Sequence, residues 1–156
     1  MSALSLPVRA GDRPRTQLTM PHVQLSQNST DVLRERLTSW MSDELPVTER
    51  GPSEISVPSS IAFFLAPHIR PPEGALLLPP RRTAEFAHIH ADGSLHLCLS
   101  LEDQQELLDK GWGERHPKYS PENNVLMLYG PRTDEEFDVV KSVIAACYRY
   151  ATGRTL

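Results

Sequence analysis

The dipeptide Asp92-Gly93 lies between two short, partly apolar runs, residues 85–90 and 95–99. Glycine accepts the positive φ of a tight turn, so the stretch reads as a β-hairpin. The flanks carry His88, His90 and His96, and the register therefore decides the chemistry. Alternate residues of a strand share a face, which puts His88 and His90 on one side. A two-residue loop at Asp92-Gly93 pairs Ala91 with Ser94 and turns His96 to the opposite face. A three-residue loop, with Gly93 left-handed in a bulge, pairs His88 with His96 and makes all three imidazoles converge. Both turns suit the residues; the histidine content favours the second.

Four of the six histidines, His88, His90, His96 and His116, fall within residues 85–117. Such a cluster suits acid/base work, because imidazole titrates near neutral pH. His88, His90 and His96 also offer three nitrogens to a divalent metal such as Zn, Cu, Fe or Ni. No fourth-ligand spacing supports the metal, and the acid/base role is the favoured one. The plainer alternative is a set of polar residues on a half-solvated sheet.

The chain of 156 residues is long enough for one domain with its own core. A net charge of −4, without a basic block, excludes a nucleic-acid backbone as partner. No apolar run approaches the length of a bilayer span, and residues 1–15 lack the apolar centre of a signal peptide, so a soluble, cytoplasmic protein is expected. Cys98 and Cys147 sit in apolar patterns and read as buried free thiols. There is no P-loop, GxGxxG, CxxC or GxSxG motif, and no repeat, which speaks against nucleotide-driven, dithiol and α/β-hydrolase chemistry.

Residues 1–26 are broken by Pro7, Pro14 and Pro21 and read as a proline-rich arm or strap; the domain proper is expected over residues 27–156. Arg13 and His22, on that strap, reach the site only if the wrapping happens to bring them there. Residues 29–41 read as a helix capped by Ser29 or Thr30, and residues 44–53 as a polar loop. Short strands are expected at 54–57 and 59–66, with a brief apolar run at 75–78. His68 lies in a proline-bounded loop and reads as surface. Ser100 caps a helix that Gly111 ends, and Trp112 then leaves the helix axis, to wall a pocket or plug the core. Arg115 and His116 follow in a loop, and residues 124–129 form a buried strand. Thr133 and Glu136 make a capping box for a last helix reaching about residue 150, ended by Gly153. Arg132, before that helix, offers its donor fork to a substrate oxygen or to Glu135 or Glu136. Glu85 is a candidate to orient a histidine, although plain strand alternation points it away from His88 and His90. The order gives an α+β fold: an antiparallel or mixed sheet with about three helices packed on it.

Four segments carry a resemblance: E-F-A-H-I-H, S-L-H-L, L-L-D-K-G-W-G-E-R-H-P and L-M-L-Y-G-P-R-T-D-E-E. Their order and spacing over residues 78–152 resemble the fungal luciferases and the luciferase-like domain family, with weaker correspondence at residues 11–14 and 21–24. The resemblance implies an oxygenase that adds O₂ to a hydroxylated α-pyrone such as 3-hydroxyhispidin, with no organic cofactor and, in luminous members, light on loss of CO₂. Its chemistry asks for a base, for which His88, His90, His96 and His116 are candidates. It also asks for groups that hold the anion and the ring, for which Trp112, Arg115, Tyr129 and Arg132 are candidates. The implied partners are a small-molecule substrate and O₂. The fungal luciferases carry an N-terminal hydrophobic segment that this sequence lacks. The alternative is a non-luminous small-molecule-binding or metal-binding module of the same fold.

Overall fold

The computed structural model describes residues 4–156; the first three residues of the expected arm lie outside it. Three helices and six strands follow in the order α1 (Asp31–Glu44), β1 (Thr48–Pro52), β2 (Ile61–Leu65), β3 (Glu85–Ile89), β4 (Leu95–Leu97), α2 (Leu101–Asp109), β5 (Gly113–Arg115), β6 (Leu126–Leu128) and α3 (Asp134–Thr152). All strand pairs are antiparallel, and the sheet order is β1-β2-β3-β4-β6-β5. This is the expected α+β architecture.

The helices begin where side chains replace the missing backbone partners. Thr30, Ser100 and Thr133 accept from the amides of Leu33, Asp103 and Glu136. One face of the sheet meets the helices. Phe63, Ala87, Ile89, Leu95, Leu97, Leu126 and Leu128 pack there with Leu37, Met41, Leu107, Val140, Ile144 and Tyr148. Burying each large apolar side chain contributes roughly 1.5–3 kcal/mol, which makes this face the main source of stability. Both cysteines are free and buried, and burial pushes the Cys147 thiol up to about 12.

Three local expectations change. Residues 48–52, expected as loop, form edge strand β1, and residues 54–57 are not a strand. Residues 113–115, also expected as loop, form the opposite edge strand β5. Edge strands this short are specified by backbone pairing to a neighbour, and polar side chains such as Glu49, Arg50 and Arg115 give them no alternation to read.

The second face of the sheet is polar and covered. Register aligns Gly51, Ala62, His88, His96, Met127 and Glu114 in one row across all six strands. Residues 12–27 lie over this row. They fold back on themselves through Gln17 N–H to Val23 O (2.9 Å) and Leu25 N–H to Arg15 O (2.8 Å). They are pinned to the sheet by Gln24 N–H to Asp92 Oδ2 (3.1 Å) and Gly130 N–H to Gln24 Oε1 (3.0 Å).

Candidate functional site: a buried imidazole cluster

The hairpin takes the three-residue loop. Gly93 N–H donates to His90 O (3.0 Å) and His90 N–H to Ser94 O (2.8 Å), with Gly93 at φ +96°. A Cβ at Gly93 would also collide with Ser29, so both backbone and space require glycine. The consequence is the pairing of His88 with His96. His90 lies two residues beyond His88 on the same face, and the three rings sit 4.6–5.1 Å apart between centroids.

Two further imidazoles join them. His116, two residues beyond Glu114, puts its ring 5.2 Å from that of His96. His22, on the covering segment, stacks on His96 at 5.0 Å. Five of the six histidines therefore meet in one place, and His68 is exposed elsewhere.

Hydrogen bonds string the rings between two carboxylates. Glu85 Oε2 meets His88 Nδ1 (2.7 Å), and His88 Nε2 meets His96 Nδ1 (3.0 Å). His96 Nε2 meets His22 Nδ1 (2.9 Å), and His22 Nε2 meets Glu114 Oε2 (2.8 Å). Glu85 reaches His88 because β3 is bulged: Phe63 pairs with Ala87 but Phe64 pairs with Glu85, so Phe86 is an extra residue. That insertion shifts the alternation by one and returns Glu85 to the face of His88, correcting the expectation from a plain strand. His90 has its own support. Its Nδ1 meets Ser94 Oγ (2.9 Å), and that hydroxyl donates to Asp92 Oδ1 (2.5 Å).

Three of the rings, His90, His96 and His116, are held uncharged. Burial, reinforced by the neighbouring imidazoles, lowers His90 to about 3 and His96 well below the usual range. Burial, with the His22 ring and the Lys118 ammonium close by, lowers His116 to about 4. At neutral pH these side chains present lone pairs, as bases or ligands do. Glu114 behaves oppositely. Burial pushes its carboxyl up, but hydrogen bonds from His22, Tyr129 and Thr16, with the Arg13 charge, outweigh it and bring it to about 2.

The other sequence candidates separate. Tyr129 stands behind the cluster, donating its hydroxyl to Glu114 (2.8 Å) and accepting from Arg13 (3.1 Å). Arg115 is exposed and stacks on Tyr119 at 4.6 Å. Trp112 is buried, donating Nε1–H to Pro7 O (2.7 Å). Arg132 pairs with Glu136 (2.5 Å) and also donates to Gln27 and Ala10. Trp112 and Arg132 line a separate open cleft of about 550 Å³, with Val8, Gly11 and Val139. The imidazoles line a cavity of only about 80 Å³, together with Met20, Pro21, Val23, Ile55 and Val57. Sequence reasoning missed Glu114 and held Arg13 and His22 lightly. The one available signal was the weak family correspondence at residues 11–14 and 21–24, which contain Arg13 and His22.

A family model described as Luciferase domain matches residues 83–147, which include every residue of the cluster except His22. The luciferase of Neonothopanus nambi is 34% identical over 168 residues, covering 95% of this chain and 61% of its own length. That of Armillaria mellea is 32% identical over 167 residues, covering 95% and 62%. The chain thus spans about three-fifths of the length of these curated relatives. No solved structure matches. The chain is a relative of the fungal luciferases and carries a match to the luciferase domain at residues 83–147.

Proposed function

We propose that this protein is a luciferase-like oxygenase that combines O₂ with a hydroxylated α-pyrone of the 3-hydroxyhispidin type, or with a related aromatic enol. The observation that supports the reading is the convergence of oriented imidazoles, three of them held neutral, around a small cavity beneath the covering segment. An enol becomes electron-rich enough to meet O₂ once it loses its proton, and a bare imidazole nitrogen is a suitable acceptor. A small cavity limits the water that can reach the peroxide that follows. Both atoms of O₂ enter that peroxide, and loss of CO₂ from it is the step that emits in luminous members.

At about 80 Å³ the cavity holds O₂ or two to three waters, since water in the liquid occupies about 30 Å³. A pyrone ring therefore enters only when residues 20–23 or 55–57 swing aside. Purified protein mixed with 3-hydroxyhispidin in air, with light and oxygen uptake recorded together, tests the reading. Oxygen uptake that disappears in His88→Ala, with or without light, is the expected result. Folded protein that consumes no oxygen with this pyrone or related enols would leave the binding-module alternative.

A further inference from the structure

We infer that His88, His90 and His96 form a binding site for a divalent first-row transition-metal ion. The inference goes beyond the oxygenase reading and stands without it, because it comes from counting protons in the hydrogen-bond network.

The count starts at His90. Ser94 Oγ carries one proton and gives it to Asp92 Oδ1 at 2.5 Å, so it accepts from His90 Nδ1–H. The neutral His90 ring then has a bare Nε2. Glu85, 1% exposed, accepts from Ser53 Oγ–H and Glu54 N–H and lies 2.7 Å from His88 Nδ1. A carboxylate is acceptor-only. His88 facing it then carries its one ring proton on Nδ1, and its Nε2 is bare. At the far end Glu114 accepts from Arg13, Thr16 and Tyr129, so His22 donates to it through Nε2–H. With one proton on the His22 ring, its Nδ1 accepts, so His96 donates through Nε2–H and its Nδ1 is bare.

Every outward contact is satisfied, and one inward contact is not. With one proton on each ring placed this way, His88 Nε2 and His96 Nδ1 face each other at 3.0 Å with no proton between them. Two lone pairs at that separation repel unless a cation lies between or beside them. His90 supplies a third nitrogen, and one nitrogen from each of the three rings lies within 4.8 Å of the others. Nitrogens about 2.0–2.1 Å from a common ion stand about 3–4 Å apart, so rings gathered within this limit close on an ion by a small inward shift. The outward partners fit as well. Histidine ligands characteristically donate their second N–H to a carboxylate or another acceptor, which fixes the tautomer. Here those acceptors are Glu85, the Ser94–Asp92 pair and the His22–Glu114 pair. Among the described residues, Arg13 on the exposed side pairs with Glu114 (2.6 Å).

The neighbouring trio His22, His96 and His116 also brings its nitrogens within 4.8 Å but fails the same count. His22 has both nitrogens engaged. His116 Nδ1 accepts Lys118 N–H (3.0 Å), so its ring proton sits on Nε2. Three neutral imidazoles without a thiolate suit Zn, Fe, Cu or Ni and leave coordination positions toward the cavity. The competing explanation is a single proton trapped between His88 and His96.

The test uses the full chain, free of any histidine tag, stripped with chelator and titrated with Zn²⁺ and with Co²⁺. The expected result is one ion per chain by elemental analysis, a rise in melting temperature with Zn²⁺, and visible Co²⁺ absorption of a nitrogen-ligated site. Ser94→Ala, which removes only the outward partner of His90, should weaken affinity about 10- to 100-fold. His90→Ala should weaken it further, and His116→Gln should leave it within a few fold. Stripped protein that takes up neither ion would overturn the site in favour of the trapped proton. Equal loss in His116→Gln and His90→Ala would overturn the ligand set. Metal content and oxygen uptake are read separately: a metal-free protein that consumes oxygen with the pyrone defeats only the metal, and a loaded protein that does not defeats only the oxygenase.

Discussion

Glu85 shows how one side chain can be both a structural and a site residue. Its carboxylate is shut away from water with the donors Ser53 Oγ–H, Glu54 N–H and His88 Nδ1–H. Truncation to alanine strands these donors, and each buried unsatisfied group costs about 1–3 kcal/mol. Glu85→Ala is therefore expected to destabilise the fold by about 3 kcal/mol or more, read from the midpoint of urea unfolding. A loss below 1 kcal/mol would mean that water replaces the carboxylate and that His88 is not held by it. The residue was in view from the sequence, but its direction was not. A one-residue bulge at Phe86 reverses which face it points to, and no local pattern announces a bulge.

Among the elements, the hairpin and the covering segment decide the site. Gly93 holds the turn that pairs His88 with His96, and a β-branched residue at φ +96° is strained in addition to meeting Ser29. Gly93→Val is expected to cost more than the roughly 1–2 kcal/mol of the left-handed conformation alone, seen as a fall in melting temperature of several degrees. The covering segment depends on Glu114, which receives Arg13, Thr16 and His22 from residues 13–22. Glu114→Gln keeps the volume but loses the charge that these donors face. Faster trypsin cleavage after Arg15, followed by mass spectrometry, is the expected consequence. Cleavage at the wild-type rate would show that the segment is held mainly by Gln24 and its bonds to Asp92 and Gly130.

For the whole molecule, the buried ionisable groups make stability depend on pH with one sign. Glu114 titrates at about 2 in the fold against an ordinary 4.5, so its contribution is complete above 4.5 and fades as pH falls toward 2. His116 is lowered from 6.5 to about 4, with His22, Lys118 and His88 facing it. Between those values the unfolded chain binds more protons than the folded one, so stability is full above 6.5 and falls as pH drops toward 4. Both act in the same direction. Chemical denaturation followed from pH 7.5 to 4 is expected to show a steady loss beginning near pH 6.5, shallower in His116→Gln. A flat profile would mean that His116 is far more solvated than its half-buried position indicates.

The helix caps, the apolar stripes of α1, α2 and α3, and the hairpin with its glycine were all written locally, because each is set by residues a few positions apart. The histidine content of residues 85–117 likewise announced a site. What the sequence left open depended on contacts between residues about a hundred positions apart. His22 meets Glu114, and Arg13 reaches Tyr129, because a proline-broken segment with no period of its own lies across the sheet. Arg132 was legible as a residue with two possible partners, and tertiary proximity gave it to Glu136 together with Gln27 and Ala10. The sequence by itself determined the elements, the α+β class and the four clustered histidines, since propensity, capping and turn chemistry are local. Only the tertiary structure decided that a fifth imidazole and two carboxylates complete the cluster, since sheet register, a bulge and a strap act through space rather than along the chain.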